Sequence, residues 1–139
     1  MKTVSPSRLL KLALTADAVV SGLVGMLQLA ALDWLSQLLS LPRSLLLETG
    51  VFLIGYAVLL VVLARSARVW QALIGMVVVG NVGWAIGCVV LVASGVLSPG
   101  AMGLAFVAVQ AITVLVFAAQ EFNGLIASAR APGAGVARA

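Results

Sequence analysis

The sequence contains no histidine and a single cysteine, Cys88, and these absences remove several classes of function. A tetrahedral zinc site takes three or four Cys or His ligands, and iron–sulfur clusters take several thiolates. A disulfide within one chain needs two cysteines. We therefore predict no metal, no cofactor and no internal disulfide, and we interpret Cys88 as a small packing residue in an apolar segment.

Charged residues are also scarce, because they make up 9% of the 139 residues while hydrophobic residues make up 63%. Ordinary soluble domains have about 25% charged and about 45–50% apolar residues. A chain this short cannot bury so much apolar surface in a soluble core. The composition thus excludes a soluble enzyme, a disordered tail and a secreted disulfide scaffold, and it predicts an integral membrane protein.

Motifs that carry catalysis are absent from the sequence as well. It has no phosphate-binding loop, dinucleotide fingerprint or nucleophile elbow, and no acid–base or nucleophile–base set. The formal charge of +4 comes from residues at the ends of apolar segments and forms no basic patch. We therefore predict neither an enzyme nor a nucleic-acid partner, and take the lipid bilayer as the first partner of the chain.

Four apolar segments are long enough to cross a bilayer as helices, which takes about 20 residues. They cover about residues 9–32, 44–64, 69–97 and 99–120. Continuous apolar character favours helices over barrel strands, and short links favour packing of sequence neighbours side by side. The prediction is an all-α integral membrane protein, a four-helix antiparallel bundle over residues 1–126, with a flexible cytoplasmic tail over residues 127–139.

The segment between the first two spans, residues 33–41, has one polar and one apolar face at helical spacing. This pattern predicts a short amphipathic helix in the membrane interface. Trp34 within it and Trp70 before the third span are expected to anchor the chain at the two interfaces. Pro42 is expected to end this helix.

Seven of the eight Lys and Arg residues fall on one predicted side of the membrane, and only Arg43 falls on the other. Cytoplasmic loops carry the excess of positive charge in membrane proteins. We therefore predict that both termini are cytoplasmic. The Ala-, Val-, Leu- and Gly-rich composition is typical of small proteins of the bacterial inner membrane, which is the predicted location.

Polar residues within the spans are the candidates for a functional site. They are Asp17, Ser21, Gln28, Asn81, Gln110 and Glu121. A carboxylate in a span costs about 2.5–3.5 kcal/mol on insertion scales, so Asp17 is a candidate carrier of a proton or cation. Alternatively, these groups hydrogen-bond helices to each other, which we favour both for the amides and for Asp17. Glu121, at the inner end of its predicted span, is interpreted as an interfacial carboxylate that reaches water.

Small residues form a stripe at helical spacing on the third span, at Gly80, Gly83 and Gly87. Ser21 and Gly25 form a similar pair on the first span. Close backbone approach is a main source of helix association in lipid, so both sets are predicted to be packing seams, inside the bundle or against another protein. A lipid or pigment ligand lying against the stripe is a further hypothesis.

Two hypotheses for function follow from the sequence. The first is an accessory or scaffolding subunit that packs against a larger membrane complex or against a second copy of itself. The alternative is a small proton-coupled carrier that acts as a homodimer, with Asp17 as the coupling carboxylate. A carrier predicts that Asp17 faces a wet cavity at a dimer interface, whereas an accessory subunit predicts a hydrogen-bonded Asp17 in a dry one.

Overall fold

The computed structural model describes residues 1–131, and the remainder of the predicted tail, residues 132–139, lies outside the described residues. The elements are β1 (Thr3–Val4), α1 (Arg8–Ala30), α2 (Leu32–Leu39), α3 (Arg43–Arg65), β2 (Val69–Trp70), α4 (Gln71–Ala93) and α5 (Ala101–Arg130). Helices α1, α3, α4 and α5 are long and apolar enough to cross a membrane. The prediction of a helical protein with four candidate spans is thereby confirmed.

Local chemistry explains where several helices begin and end. The Ser7 hydroxyl caps α1 by accepting a hydrogen bond from the Leu10 amide at 3.2 Å. Helix α2 ends at Ser40, which has a left-handed backbone (φ 53°). Helix α4 ends before Gly95, whose φ of 74° suits glycine, and so it stops short of residue 97, the predicted end of that span.

Helix α5 is longer than the predicted span 99–120, because it continues to Arg130. Residues 127–130 are therefore helical, which corrects the prediction that the flexible tail begins at 127. The reason is a contact with the start of α1. The Ser7 amide donates to the Ser128 hydroxyl at 2.8 Å, and the Ser7 hydroxyl donates to the Gly124 carbonyl at 3.0 Å.

A short antiparallel ribbon, which the sequence pattern does not indicate, joins the N-terminal segment to the α3–α4 connection. Thr3 pairs with Trp70 and Val4 with Val69. The Gln71 amide also donates to the Lys2 carbonyl at 3.0 Å. The N-terminus, the α3–α4 connection and the end of α5 therefore meet at one end of the bundle, called here the N-terminal end.

Helix α1 lies at the centre of the packing, against α3 on one side and α5 on the other, while α4 packs on α5. The α1–α3 contact is close at Gly25, where an added Cβ would lie 3.0 Å from the Gly50 carbonyl oxygen. Helices α3 and α4 stand apart along their lengths, Arg43–Arg65 and Gln71–Ala93. Side-by-side backbone packing of this pair was the expectation, and it is wrong because the two helices meet at mid-span through the aromatic side chains of Phe52 and Trp84.

Apolar side chains pack in two separate clusters. The cluster at the N-terminal end consists of Val4, Leu10, Leu14, Ala18, Leu60, Leu63, Ala64, Val69, Ile74 and Val77. The cluster at the opposite end, called the α2 end, consists of Leu32, Leu35, Leu39, Leu41 and Leu46. At the α2 end Gly103 lies directly against the Leu39 carbonyl oxygen. The polar residues of the spans lie between these clusters.

Candidate functional site

Five polar side chains from four different helices meet in the interior between the two apolar clusters. They are Asp17 and Ser21 of α1, Tyr56 of α3, Asn81 of α4 and Glu121 of α5. We call this group the carboxyl cluster. Asp17 and Glu121 are both 0% exposed, so neither carboxyl group contacts solvent.

Asp17 accepts hydrogen bonds from three side chains. The Ser21 hydroxyl, one helical turn further along α1, donates to Oδ1 at 2.8 Å. The Tyr56 hydroxyl and the Asn81 amide nitrogen both contact Oδ2 at 3.0 Å. These bonds connect α1 to α3 and to α4.

Asn81 bridges the two carboxyl groups. Its Nδ2 donates to Asp17 Oδ2 and to Glu121 Oε2, each at 3.0 Å, so the two N–H groups of one amide serve two acids. The two acceptor oxygens are therefore at most about 6 Å apart. The Asn81 oxygen in turn lies 3.1 Å from the Tyr56 hydroxyl.

The cluster contains acids without a cationic side chain. Within residues 1–131 the ion pairs are limited to Arg43 with Asp33, 2.7 Å apart, and both side chains are largely exposed. Glu121 Oε1 is buried and has no hydrogen-bond partner in this described part of the chain. An unpaired buried carboxylate oxygen is costly, which marks this position as a candidate site for a bound ligand or proton.

Both acids lie at the same depth in the bundle. Asp17 is nine residues after Arg8, the start of α1, and Glu121 is nine residues before Arg130, the end of α5. At about 1.5 Å per residue, each lies about 14 Å from its helix end. The interpretation of Glu121 as an interfacial carboxylate that reaches water is therefore wrong, because α5 extends beyond the apolar segment.

The other two predicted amides lie outside the carboxyl cluster. Gln28, only 2% exposed, has its Oε1 at 3.2 Å from the Thr49 hydroxyl of α3. Gln110 of α5 accepts a hydrogen bond from the Trp84 indole nitrogen of α4 at 3.3 Å. Each amide therefore contacts a side chain on a neighbouring helix.

The gap between α3 and α4 contains a cavity of about 380 Å³ toward the α2 end. We call it the interhelical cavity. Gln28, Thr49, Trp84 and Gln110 supply its polar groups, and leucine, valine and phenylalanine side chains supply most of the rest. A smaller cavity of about 150 Å³ lies beside it and reaches the carboxyl cluster. Its lining includes Ser21, Tyr56, Asn81, Trp84 and Gln110.

An aromatic row crosses the gap and connects the cavities to the carboxyl cluster. Phe52 of α3 stacks on Trp84 of α4, with ring centroids 5.6 Å apart, and on Tyr56, at 6.1 Å. Offset-stacked pairs of this kind contribute about 0.5–1.5 kcal/mol beyond their area burial. Contact between α3 and α4 at this level is made by side chains, which leaves room beside the row.

The predicted small-residue seams lie in different surroundings. Gly25 and Ser21 are buried in α1, and Gly25 packs closely on α3. A Cβ added at Gly80, Gly83 or Gly87 would meet no atom within 4 Å in the described structure. Gly83 and Gly87 line the interhelical cavity, so this stripe widens the gap there.

Three side chains of the site were missing from the predicted set, namely Tyr56, Thr49 and Trp84. Tyr56 is the only tyrosine of the sequence and lies in mid-span, so its isolated hydroxyl in an apolar segment was a usable signal. Membrane tyrosines are usually found at interfaces. Thr49 had no such signal, because threonine often bonds within its own helix, as Thr49 does to the Leu45 carbonyl at 2.7 Å.

The two tryptophan anchors predicted for the interfaces are both on the surface. Trp34 lies on α2 and Trp70 on β2, at opposite ends of the bundle, and both are exposed. Neither contributes to the cavities described above.

Comparison with known proteins yields no relative, since no family model, no curated protein and no solved structure matches the chain.

Proposed function

We propose that this chain is a small proton-coupled carrier of the bacterial inner membrane. Its coupling site is the acid pair Asp17–Glu121, which takes up a proton as a ligand enters the cavities beside it and releases that proton as the ligand leaves. The observation that carries the proposal is the meeting of two buried carboxyl groups on one asparagine, without a basic side chain.

Electrostatics favour a proton at this pair. Two negative charges at most about 6 Å apart repel by roughly 3 kcal/mol or more at an effective dielectric constant of about 20, in addition to the cost of burying each one. Sharing a proton removes that repulsion. A purely structural network is built more cheaply from neutral amides, so the retention of two acids points to proton exchange.

Asp17 is 0% exposed and does not itself face a wet cavity, which differs from the carrier hypothesis drawn from the sequence. Access to the acids instead runs through the smaller cavity. Asp17 and Glu121 are buried, but Ser21, Tyr56 and Asn81, which contact them, line that cavity. A ligand that binds there competes for the Tyr56 hydroxyl and the Asn81 amide. Withdrawal of these donors destabilises a negative charge on the acid pair, and this links ligand entry to proton uptake.

The arrangement in the membrane completes the proposal. Four spans are antiparallel, α2 lies in the outer interface with Trp34 as its anchor, and both termini are cytoplasmic. Contacts at the N-terminal end support this, because Thr3, Trp70 and Ser128 gather there together with most basic residues. In a homodimer, two copies of the chain move relative to each other, which the four helices of one copy cannot do. Each copy carries both acids of its own coupling site.

Glu121→Gln is expected to remove a buried protonated carboxyl group while the fold is retained, since glutamine keeps an oxygen acceptor for Asn81. Infrared spectroscopy of the purified protein in micelles detects that group by its C=O stretch, which differs from that of a carboxylate. Asp17→Asn is expected to have the same effect, and Glu48→Gln, at an exposed position, serves as the matched control that keeps the band. Absence of the band in the unmodified protein contradicts the proposal.

The proposed topology predicts which side of the membrane each connection faces. In a Cys88→Ala background, Ser5→Cys is expected to react with a membrane-impermeant maleimide only after the cells are opened. Ser98→Cys, in the α4–α5 connection, is expected to react in intact spheroplasts. Reaction of both positions from the same side would overturn the proposed orientation.

An accessory subunit is the second candidate, because Asp17 lies in a dry, hydrogen-bonded site, as that hypothesis predicts. Helix α4 also has the smallest buried share of the four spans, which leaves it free to pack on a partner. Gentle extraction from native membranes separates the candidates. A stoichiometric protein partner that stays bound to Glu121→Gln as well as to the unmodified chain supports the accessory role.

A further inference from the structure

We infer that the interhelical cavity binds an uncharged, flat ring compound that dissolves in the bilayer and carries a carbonyl oxygen, as quinones do. This inference deepens the proposed function by naming the class of ligand. It starts from two carboxamides, Gln28 and Gln110, whose N–H groups are not fully used inside a largely apolar cavity.

The hydrogen bond to Trp84 determines the orientation of the Gln110 amide. An indole N–H can only donate, so the Gln110 oxygen must face Trp84. The two N–H groups of Gln110 then point elsewhere, and within residues 1–131 neither has an acceptor. Gln110 lines both cavities, so these donors are available to a ligand.

Gln28 also has a free donor, whichever way its amide is turned. The single hydroxyl hydrogen of Thr49 lies closest to the Leu45 carbonyl, at 2.7 Å, compared with 3.2 Å to Gln28. If Gln28 donates to Thr49, one of its N–H groups is used, and if it accepts, none is used. At least one N–H of this 98% buried side chain thus lacks a partner in the described structure.

The walls of the cavity determine the rest of the ligand. Its fourteen lining residues, all of them described, include no charged side chain, which disfavours an ion. Trp84 and Phe106 offer aromatic faces, and ring compounds pack on such faces. A volume of about 380 Å³ is within the range of small-molecule sites, about 300–1,000 Å³.

Entry from the bilayer requires no aqueous path. Helices α3 and α4 stand apart, and Gly83 and Gly87 present no side chain at the gap. A lipid acyl chain fits the same opening but offers no acceptor to Gln28 or Gln110. A carbonyl oxygen satisfies these donors, which is why the ring compound is favoured over a lipid tail.

Menadione, a naphthoquinone without a long tail, is the probe for the test. In the full chain with Trp34→Phe and Trp70→Phe, Trp84 is the only tryptophan, and its fluorescence reports on the cavity. We expect menadione to quench Trp84 saturably. The menadione concentration required is expected to be at least tenfold lower than the concentration that quenches Trp34 in a chain that keeps only that tryptophan. Quenching of both tryptophans in the same linear manner would show partition into the micelle only, and would overturn the inference.

Three variants test the site itself. Gln28→Leu and Gln110→Leu are each expected to weaken binding about tenfold, the effect of losing about 1.4 kcal/mol. Gly83→Leu fills the cavity without removing a hydrogen bond and is expected to abolish saturable quenching. Circular dichroism identifies variants that fail to fold. Tight quenching that persists in folded Gly83→Leu would contradict the assignment.

The menadione binding experiment is independent of the infrared test of the carboxyl cluster. If the protonated carboxyl band is present and menadione does not bind, the inference fails while the proposed proton site stands. If menadione binds and the band is absent, the cavity is correctly assigned and the proposed proton coupling fails.

Discussion

Asn81→Leu is expected to destabilise the bundle by about 3 kcal/mol. Its amide is the shared donor of Asp17 and Glu121, so leucine leaves both acids short of a partner in a dry interior. Neutral hydrogen bonds between membrane helices contribute only about 0.6 kcal/mol on average. Removal of one partner of a buried charged group costs about 3–5 kcal/mol, and this larger effect decides the outcome here.

Unfolding by SDS in mixed micelles, followed by circular dichroism, measures the loss. Asn123→Leu is the matched control, because Asn123 is exposed on α5 and the same change there is expected to shift stability by less than about 0.5 kcal/mol. Combining Asn81→Leu with Asp17→Asn and Glu121→Gln is expected to restore most of the loss. A loss of equal size in the neutralised background would mean that packing of Asn81, rather than its bridging of the acids, is what matters.

The four spans and many of the buried polar residues could be predicted from the sequence, because continuous apolar segments in lipid form helices and polar groups within them face inward. Asp17, Ser21 and Asn81 were candidates on that basis. Their meeting with each other could not be predicted, since helical periodicity places residues on a face of one helix and does not say which helix that face meets.

Two features depended on contacts between distant parts of the chain. The apolar pattern weakens after residue 120, yet α5 continues because Gly124 and Ser128 pack on Ser7 and Leu10. This extension moves Glu121 from a helix end into the interior. The gap between α3 and α4 could not be predicted either, because the short connection favoured direct packing of the two helices. The stacking of Phe52 on Trp84 is a tertiary contact that the sequence does not indicate.

Gly124→Val is expected to cost about 3 kcal/mol or more, because the space beside Gly124 is occupied by backbone. An added Cβ would lie 2.7 Å from Leu10 Cα and 2.8 Å from the Leu10 amide nitrogen. Overpacking a core typically costs about 1–3 kcal/mol, and here the neighbour cannot change rotamer to relieve it. SDS unfolding is again the measurement, with Gly83→Val as the control, since nothing lies within 4 Å of a Cβ there.

The effect of Gly124→Val is expected to reach the acid pair as well. Glu121 lies one helical turn before Gly124 on the same helix, so pushing α5 away from Leu10 also moves Glu121 away from Asn81. The buried protonated carboxyl band is therefore expected to weaken in Gly124→Val and to remain in Gly83→Val. Equal stability of the two glycine variants would mean that α5 does not dock on α1 through Gly124, and the depth assigned to Glu121 would then lose its structural basis.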